Sequence, residues 1–212
     1  MSTAKLFAEK LLQIKALGLS PAQPYTWASG WKSPVYCDNR KTLSHPHVRD
    51  FVKSELTAMV FEGFPEAECI AGVATAGIPH GVLVADLLKL PFIYVRSKPK
   101  EHGARNQIEG ELQAGAKTVV IEDLVSTGGS SLQAVEALRD AGAEVIGLCA
   151  LFTYGFPVAE VAFNKAGVLL KTISNYSALM DVARERGLVS EDEMETLKAW
   201  REAPAEWGRQ AS

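Results

Sequence analysis

The sequence lacks the features that would place the chain in a membrane or outside the cell. No stretch approaches the ~18 consecutive apolar residues that a membrane-spanning helix needs. The three cysteines, Cys37, Cys69 and Cys149, include no C-x-x-C pair, which argues against a disulfide framework and against a zinc site. The amino-terminal segment mixes charged and apolar residues at helical spacing and predicts an amphipathic helix, not a secretory signal. We therefore expect a cytoplasmic protein with reduced thiols.

An excess of positive charge is also missing. Lys and Arg total 22 against 25 for Asp and Glu, a net charge of -3, so we expect general binding neither to nucleic acid nor to a membrane surface. The sequence has no G-x-x-x-x-G-K-[ST] and no G-x-G-x-x-G after a predicted strand, which argues against P-loop and Rossmann phosphate sites. With 212 residues, 47% of them hydrophobic, one globular domain over residues 1–212 is expected.

Short apolar runs alternate with helical patterns through the middle of the chain. Strands are predicted at residues 68–74, 92–95, 117–121, 144–153 and 168–173, and helices at 78–88, 130–141, 177–186 and 190–202. The last helix opens with an S-x-x-E capping box. Apolar strands separated by helices indicate an α/β fold with a central, mostly parallel sheet flanked by helices. Residues 20–45, rich in Pro, Gly and Ser signals, predict an added segment outside this sheet, here called the hood.

The most specific pattern is residues 119–131, an apolar strand followed by Glu122, Asp123 and a Ser/Thr/Gly loop. In open parallel sheets, ligands bind beyond the carboxyl ends of the strands. Gly128 and Gly129 tolerate positive φ, so the loop can turn backbone N–H groups and a helix start towards a phosphate. The carboxylates suit sugar hydroxyl donors, and a ribose 5-phosphate group satisfies both demands. A capped turn at a strand–helix junction is the alternative.

Residues 119–131 resemble the motif by which type I phosphoribosyltransferases bind 5-phosphoribosyl-1-diphosphate (PRPP). The resemblance implies that Glu122 and Asp123 hold the ribose 2- and 3-hydroxyls and that residues 126–130 hold the 5-phosphate. The implied PRPP-binding set in this motif is Glu122, Asp123, Leu124, Val125, Ser126, Thr127, Gly128, Gly129 and Ser130. Purine enzymes carry close versions of the motif, so it leaves the identity of the base open.

A second group of residues is basic and lies in a predicted mobile loop, residues 97–111, or directly before it. These residues are Arg96, Lys98, Lys100, His102 and Arg105. Such a loop can close over a diphosphate, exclude water and stabilise the charge of the leaving group; a solvated basic loop is the alternative. The segment resembles the R-x-x-x-K-x-H-G stretch of orotate phosphoribosyltransferases. That resemblance implies that Lys100 and His102 are catalytic, that Arg96, Lys100 and His102 bind PRPP, and that the loop reaches the neighbouring subunit of a homodimer.

Residues 25–40 are similar to the amino-terminal hood of orotate phosphoribosyltransferases. The matching residues are Ser29, Gly30, Ser33, Pro34 and Tyr36. Some relatives have lysines where this chain has Ala28, Ala76 and Ser97, and some have an orotate-binding arginine after the strand that here ends at Thr153. The orotate contact is therefore assigned to Ser126, backbone amides and the hood. Residues 74–77 either touch the diphosphate through backbone groups or form only a tight turn.

The expected reaction is transfer of ribose 5-phosphate from PRPP to orotate with release of diphosphate. Mg²⁺ would be carried by PRPP oxygens and not by a protein site. Lys100 and His102 would stabilise the departing diphosphate, and Asp123 would hold the ribose. A purine phosphoribosyltransferase and a non-catalytic PRPP-sensing regulator are the two alternatives. The pair His45 and His47 has no third metal ligand nearby, and His80 is expected to be structural.

Overall fold

The computed structural model describes residues 1–27, 29–97 and 107–208. In chain order its helices are α1 Thr3–Gln13, α2 Pro46–Gly63, α3 Gly77–Leu88, α4 Gly129–Asp140, α5 Pro157–Ala166, α6 Tyr176–Glu185 and α7 Glu191–Glu202. Its strands are β1 Leu17–Leu19, β2 Tyr25–Thr26, β3 Lys32–Ser33, β4 Val35–Cys37, β5 Cys69–Val73, β6 Phe92–Val95, β7 Ile108–Glu109, β8 Lys117–Val125, β9 Glu144–Thr153 and β10 Leu170–Asn175. A short 3-10 helix, Asn39–Ser44, follows β4.

The central sheet has the strand order β10-β9-β8-β5-β6-β7. Neighbouring strands from β10 to β6 are parallel, and the short β7 pairs with β6 in the antiparallel direction. The predicted α/β fold with a mostly parallel sheet is therefore confirmed, and each strand predicted from the sequence is present. The antiparallel edge strand β7 was not predicted, since its two residues, Ile108 and Glu109, are too few to give a periodic signal.

Alternate side chains of the strands enter two hydrophobic clusters, one on each face of the sheet, because successive residues of a strand point to opposite faces. Ile70 of β5 joins the cluster that includes residues of α1, α2, α3, α6 and α7. Its neighbours Ala71 and Val73 join the cluster that includes residues of α4 and α5. In β8, Val119 and Val120 divide in the same way. Helices thus flank both faces of the sheet, as predicted.

Helix α2 was not expected from the sequence. Its buried residues Val48, Val52, Leu56 and Val60 recur at every fourth position, and this spacing places them in one stripe along the helix. Pro46 occupies the first turn, where its fixed φ suits a helix and its missing N–H has no cost. The stripe was therefore readable from the sequence, and it covers the sheet between α1 and α3.

Two element boundaries differ from the predictions at the most specific motif. β8 continues to Val125 and stays paired with β9 to that point, so Glu122 and Asp123 lie within the strand and not beyond its end. α4 begins at Gly129 instead of at residue 130. The pairing with β9 accounts for the extension, because a neighbouring strand can hold polar residues in a ladder that hydrophobicity alone does not predict.

Part of the hood forms two small antiparallel sheets outside the central one, in which β1 pairs with β4 and β2 pairs with β3. Trp27 links them, because its Nε1 donates to the carbonyl oxygen of Val35 at 3.2 Å. At the other end of the chain, the predicted capping box is present: Ser190 Oγ accepts from the backbone N–H of Glu193, whose side chain accepts from the backbone N–H of Ser190.

The thiols of Cys37, Cys69 and Cys149 are all free. Burial raises the pKa of Cys149 to about 12, so this thiol stays protonated and packs as a small apolar group. Among the described residues, no helix combines the length and the apolar composition that crossing a bilayer requires.

His80 lies on the buried side of α3 with 1% of its surface exposed. Among the described residues, neither ring nitrogen has a hydrogen-bond partner. Burial lowers the pKa of His80 to about 4, because a charged imidazolium would lose its hydration. The side chain is therefore a neutral packing residue, as the sequence suggested for a histidine at the start of an apolar helix.

We predict that His80→Leu makes folding less sensitive to acid. The unfolded chain takes up the histidine proton near its ordinary pKa, whereas the folded chain resists protonation until about pH 4, so stability is complete above pH ~6.5 and falls as the pH drops through this window. The histidine accounts for a loss on the order of 3 kcal/mol in the free energy of unfolding. Urea denaturation at several pH values measures it.

The matched control is His47→Gln, at an exposed position of α2. An equal loss of stability at low pH in wild type and His80→Leu would show that His80 is not the group responsible.

Candidate active site

The connections of the sheet change direction between β5 and β8. From β5 the chain passes through α3 to β6 on one side, and from β8 it passes through α4 to β9 on the other. The carboxyl ends of β5 and β8 therefore open onto a crevice, which is where ligands bind in open α/β sheets. The pairing of β5 with β8 ends at Gly72 and Ile121. Glu122 and Asp123 follow at once and face this crevice from the longer strand.

Gly77 allows the start of α3 to approach β8 more closely than any other residue could. A Cβ atom at this position would lie 2.4 Å from the carbonyl oxygen of Ile121, so any side chain here would force the helix away from the strand. The preceding turn, residues 74–76, includes a cis peptide bond between Ala74 and Thr75. The close approach at Gly77 places this turn beside Glu122 and Asp123.

Glu122 is a buried carboxylate, 5% exposed, whose two oxygens already accept protein donors. Oε1 accepts the backbone N–H of Asp123 at 3.0 Å, and Oε2 accepts the hydroxyl of Ser131 at 3.1 Å. Burial and the adjacent Asp123 carboxylate raise the pKa of Glu122 well above its ordinary value, because both oppose a second negative charge. Burial also raises the pKa of Asp123, while the positive charge of Arg40 acts in the opposite direction.

The loop after β8 leads directly into α4. Gly128 has φ +84° and is the N-cap residue of α4, and a Cβ here would also lie 2.8 Å from the Phe163 ring. Gly129 starts the helix and has ordinary φ, so only one of the two glycines has the predicted left-handed conformation. The amino end of a helix presents backbone N–H groups and partial positive charge. This end of α4 can therefore bind a phosphate.

The crevice contains a cavity of about 500 Å³. Its lining combines the acid pair, the 74–76 turn and the segment that follows β4. The lining residues are Cys37, Asp38, Arg40, Val73, Ala74, Thr75, Ala76, Glu122, Asp123, Leu124 and Ser130. A larger cavity of about 660 Å³, lined by Glu68, Pro91 and residues 113–116 among others, lies at the amino ends of the strands. We place the functional site in the smaller cavity, because the acid pair and the helix start are there.

Asn39 attaches the segment after β4 to the acid pair. Its side chain is completely buried, and its Nδ2 donates to the backbone carbonyl oxygen of Asp123 at 2.7 Å. Its Oδ1 accepts the thiol of Cys37 at 3.3 Å, and its own carbonyl oxygen accepts the hydroxyl of Thr42 at 2.6 Å. Because a buried amide left unpaired is costly, these bonds fix Asp38 and Arg40, its neighbours in the chain, beside the cavity.

Aromatic side chains connect the hood to the carboxyl-terminal helix. This aromatic cluster comprises Trp27, Trp31, Phe152, Tyr154, Phe156, Tyr176 and Trp200. The ring of Trp27 lies 5.1 Å from Tyr154 and 5.7 Å from Trp200, and Trp200 is fully buried. Aromatic contacts at these distances add to the free energy of burial. The cluster thus holds the hood over the carboxyl end of β9.

Tyr154 stands directly after β9, in a turn that contains no arginine. It is 2% exposed and stacks on Phe156 with ring centroids 5.4 Å apart, so it supports the hood and does not reach the cavity. Thr153 and Gly155 complete the turn, since Thr153 Oγ1 donates to the Val125 carbonyl oxygen at 3.1 Å and accepts the Gly155 N–H at 3.0 Å. This turn therefore packs the end of β9 against the end of β8.

The structure brings some of the predicted residues together and leaves others undescribed. Glu122, Asp123, Leu124 and Ser130 line the cavity, while Val125, Ser126, Thr127, Gly128 and Gly129 continue from it into α4. Arg96 follows β6, where its Nη1 lies 3.4 Å from Glu109 Oε1 and its backbone N–H donates to Gln107. The predictions for Lys98, Lys100, His102 and Arg105 fall outside the described residues, as does the absence of a lysine at Ala28.

Arg40, Asn39 and Ser131 were not predicted as parts of the site. Arg40 and Asn39 belong to the run Cys37-Asp38-Asn39-Arg40, and the density of polar residues directly after an apolar hood strand was the available signal. Ser131 belongs to the predicted motif, but its contact with Glu122 depends on how α4 packs against β8. That packing is a tertiary feature for which the sequence offered no signal.

Metal ligands are sparse in the described part of the chain. No group of three or more His, Cys, Asp or Glu side chains there is placed to hold a metal ion. The rings of His45 and His47 lie 6.2 Å apart at the start of α2. In the cavity, Asp123 offers hard oxygen ligands of the kind that Mg²⁺ accepts beside substrate phosphates.

Comparisons with known proteins agree with this geometry. A family model described as a phosphoribosyl transferase domain matches residues 55–177. An orotate phosphoribosyltransferase of Bacteroides fragilis is 63% identical over 203 residues, which cover 96% of this chain and 96% of that protein. One from Listeria monocytogenes is 54% identical over 209 residues, covering 99% and 100%. The crystal structure of orotate phosphoribosyltransferase from Aeropyrum pernix has a TM-score of 0.75 at 27% identity, covering 87% of this chain and 99% of that one.

Proposed function

The chain belongs to the phosphoribosyltransferase family and, within it, to the orotate phosphoribosyltransferases, and from this premise we propose how its residues carry out the reaction. The enzyme transfers the ribose 5-phosphate group of PRPP to orotate, forming orotidine 5'-monophosphate and diphosphate in pyrimidine biosynthesis. The observation that carries our assignment of roles is the crevice between β5 and β8. There an acid pair, of which Glu122 is buried and Asp123 half-buried, is followed by a glycine turn and the start of a helix.

The acid pair and the start of α4 hold different parts of the ribose 5-phosphate group: the acid pair holds the ribose, and the start of α4 holds the phosphate. Asp123 and Glu122 accept the ribose hydroxyls, because a carboxylate is a strong acceptor for an O–H donor in a site with little water. Ser126, Thr127, Gly128, Gly129 and Ser130 surround the 5-phosphate, as the helix start and the left-handed Gly128 suggest. Glu122 also accepts hydrogen bonds from the main chain of Asp123 and from the hydroxyl of Ser131. These contacts hold Asp123 in position.

The departing diphosphate is the group that most needs stabilisation. Bond breaking ahead of bond making would leave an oxocarbenium-like ribose, so positioning and charge stabilisation do the catalytic work and no protein nucleophile is required. We assign this role to Lys100 and His102 of the loop 97–111, with His102 as a candidate proton donor and Arg96 as a further PRPP contact. The support for these assignments is the sequence resemblance, and for Arg96 also its position directly after β6.

Mg²⁺ completes the proposed active complex. The ion would neutralise charge on the diphosphate oxygens and so favour departure of that group. Asp123 is the described residue best placed to contribute an oxygen ligand. In this proposal the ion is carried mainly by the oxygens of PRPP.

Orotate is assigned to Ser126, to backbone amides and to the hood. The buried position of Tyr154 supports this assignment, since the chain after β9 packs under the hood and leaves base recognition to other segments. The hood would cover the base, and the aromatic cluster would hold the hood in place.

We also propose a cytoplasmic homodimer in which the loop 97–111 reaches the neighbouring subunit. Val82 and Leu87 of α3 are 44% and 47% exposed, and contact with a second copy would cover these apolar side chains. The three free thiols agree with a reducing compartment. In this proposal residues 1–212 form one domain, with the hood and the loop as its two appended parts.

A diphosphate-release assay with PRPP and Mg²⁺ tests the function, with orotate, adenine, hypoxanthine and uracil compared as acceptors. Release with orotate alone is expected. Release with a purine would mean that the hood does not select orotate and would favour a purine phosphoribosyltransferase. PRPP binding without release for any base would favour the non-catalytic regulator.

Lys100→Ala is expected to lower kcat by ~10²-fold or more, because the leaving diphosphate loses a cation. The melting temperature should remain that of wild type. The control is Lys89→Ala, which removes an exposed lysine directly after α3 and should leave kcat unchanged. Wild-type turnover in Lys100→Ala would exclude this lysine from the mechanism.

Asp123→Asn is expected to raise the KM for PRPP by about tenfold or more, because the amide replaces one acceptor oxygen and removes the charge that strengthens the hydroxyl contacts. Steady-state kinetics at saturating orotate measure the change. Asp86→Asn, on the exposed side of α3, is the control. Equal KM values for wild type and Asp123→Asn would show that the diol is held elsewhere.

Mixing Lys100→Ala with Asp123→Asn tests whether the loop crosses the subunit interface, provided that activity is measured at PRPP concentrations well below the wild-type KM, where each variant alone is strongly impaired. In a mixed dimer one site would receive both defects and the other would receive neither, so random exchange should restore about a quarter of wild-type activity. The control mixes Lys100→Ala with Lys100→Ala carrying a different tag. If both residues act in their own subunit, mixing restores nothing and the shared site is refuted.

A further inference from the structure

Arg40 is the one cationic residue among the described residues that line the active-site cavity. The remaining polar lining consists of the carboxylates of Asp38, Glu122 and Asp123, together with neutral side chains. Both substrates are anions, and an anion is repelled by an acidic cavity that offers no compensating charge. The position of Arg40 therefore requires a functional explanation, since it lies at the end of the segment 25–40 but is not among the matching residues to which a role was assigned.

The backbone of Arg40 is held rigidly in relation to the acid pair. The preceding residue, Asn39, donates to the backbone carbonyl oxygen of Asp123 at 2.7 Å from a fully buried side chain. Arg40 also lies in the short 3-10 helix Asn39–Ser44, which is closed by the bond between Thr42 and Asn39. Any motion of this segment would thus break a buried hydrogen bond to the ribose site.

The guanidinium of Arg40 is oriented by only one of its nitrogens. Its Nε donates to Asp38 Oδ1 at 2.7 Å, and its two terminal nitrogens have no hydrogen-bond partner among the described residues. The side chain is 64% exposed, so the ion pair contributes little to folding. A guanidinium held at Nε keeps a flat edge of two donors, the arrangement that binds carboxylate and phosphate oxygens in pairs.

We propose that Arg40 binds an anionic group of a substrate through its terminal nitrogens, with Asp38 and Asn39 as the residues that position it. The proposal rests on the proposed function. Two substrate groups have the required oxyanion chemistry: a phosphoryl group of PRPP and the carboxylate of orotate. The exposed guanidinium, the unfilled donor edge and the bond from Asn39 to the ribose site carry the proposal, and they apply to either group.

The test compares Arg40→Gln with Arg184→Gln, a control of matched exposure. Arg184 lies on α6, is 63% exposed and pairs with Asp181, so it is a surface arginine beside a carboxylate that is remote from the cavity lining. The KM values for PRPP and for orotate are measured separately, together with inhibition by diphosphate and with binding of PRPP in the absence of orotate. Melting temperatures report on folding.

A rise of about tenfold or more in one KM is expected for Arg40→Gln, as for loss of a charged hydrogen bond. A rise for PRPP, with weaker PRPP binding and weaker inhibition by diphosphate, identifies a phosphoryl group. A rise for orotate, with unchanged PRPP binding, identifies the carboxylate. Arg40→Lys should recover part of the loss, since the charge remains and the paired donors do not.

Values within about twofold of wild type for both substrates, as expected for Arg184→Gln, would overturn the proposal. If Arg40→Gln folds poorly, Arg40→Lys provides the comparison, because it keeps a cation at residue 40 and alters only how its donors are presented. Failure of the proposed function would look different, since wild type would then release no diphosphate with orotate.

Discussion

The contact between Gly77 and the carbonyl oxygen of Ile121 is the constraint on which the active site depends. It brings the start of α3 against β8 at the last position where β5 and β8 pair. The turn at residues 74–76 then faces Glu122 and Asp123 across a narrow crevice. A larger residue at position 77 would separate the two strand ends and move apart the groups that line the cavity.

The burial of Glu122 and the partial burial of Asp123 follow from this geometry and have an energetic consequence. Glu122 is almost inaccessible and is held by the backbone of Asp123 and by Ser131. Two carboxylates side by side in such a place oppose each other's ionisation, so the empty site carries an electrostatic cost. Hydroxyl donors and cations relieve that cost when they arrive. The site is therefore better suited to a ligand than to solvent, which is the behaviour expected of a preorganised binding site.

The central sheet and the motif at 119–131 could be predicted from the sequence because both depend on local patterns. Apolar strands predict a buried parallel sheet, and adjacent acids followed by glycines predict a ligand-binding turn. The roles of Asn39 and Arg40 could not be predicted, since they depend on a hydrogen bond between residues 39 and 123 that only the folded chain brings together. The length of β8 was misjudged for a related reason: Glu122 and Asp123 interrupt its apolar run, and the pairing that continues the strand to Val125 is made with β9 in the folded chain. Helix α2, by contrast, had a clear stripe of valines and leucine that was overlooked.

The bond from Asn39 to Asp123 is made to a main-chain oxygen, and this has a consequence for how the site can evolve. A backbone carbonyl is present whatever side chain residue 123 has. Substitutions at this position can therefore alter how the sugar is held while the hood segment stays attached at the same point. Conversely, the side chains around Arg40 can vary without displacing the main chain of the acid pair, provided that Asn39 is kept. The attachment of the hood segment and the contacts with the ligand thus depend on different groups. Single substitutions can therefore change the acceptor preference without a change in the fold.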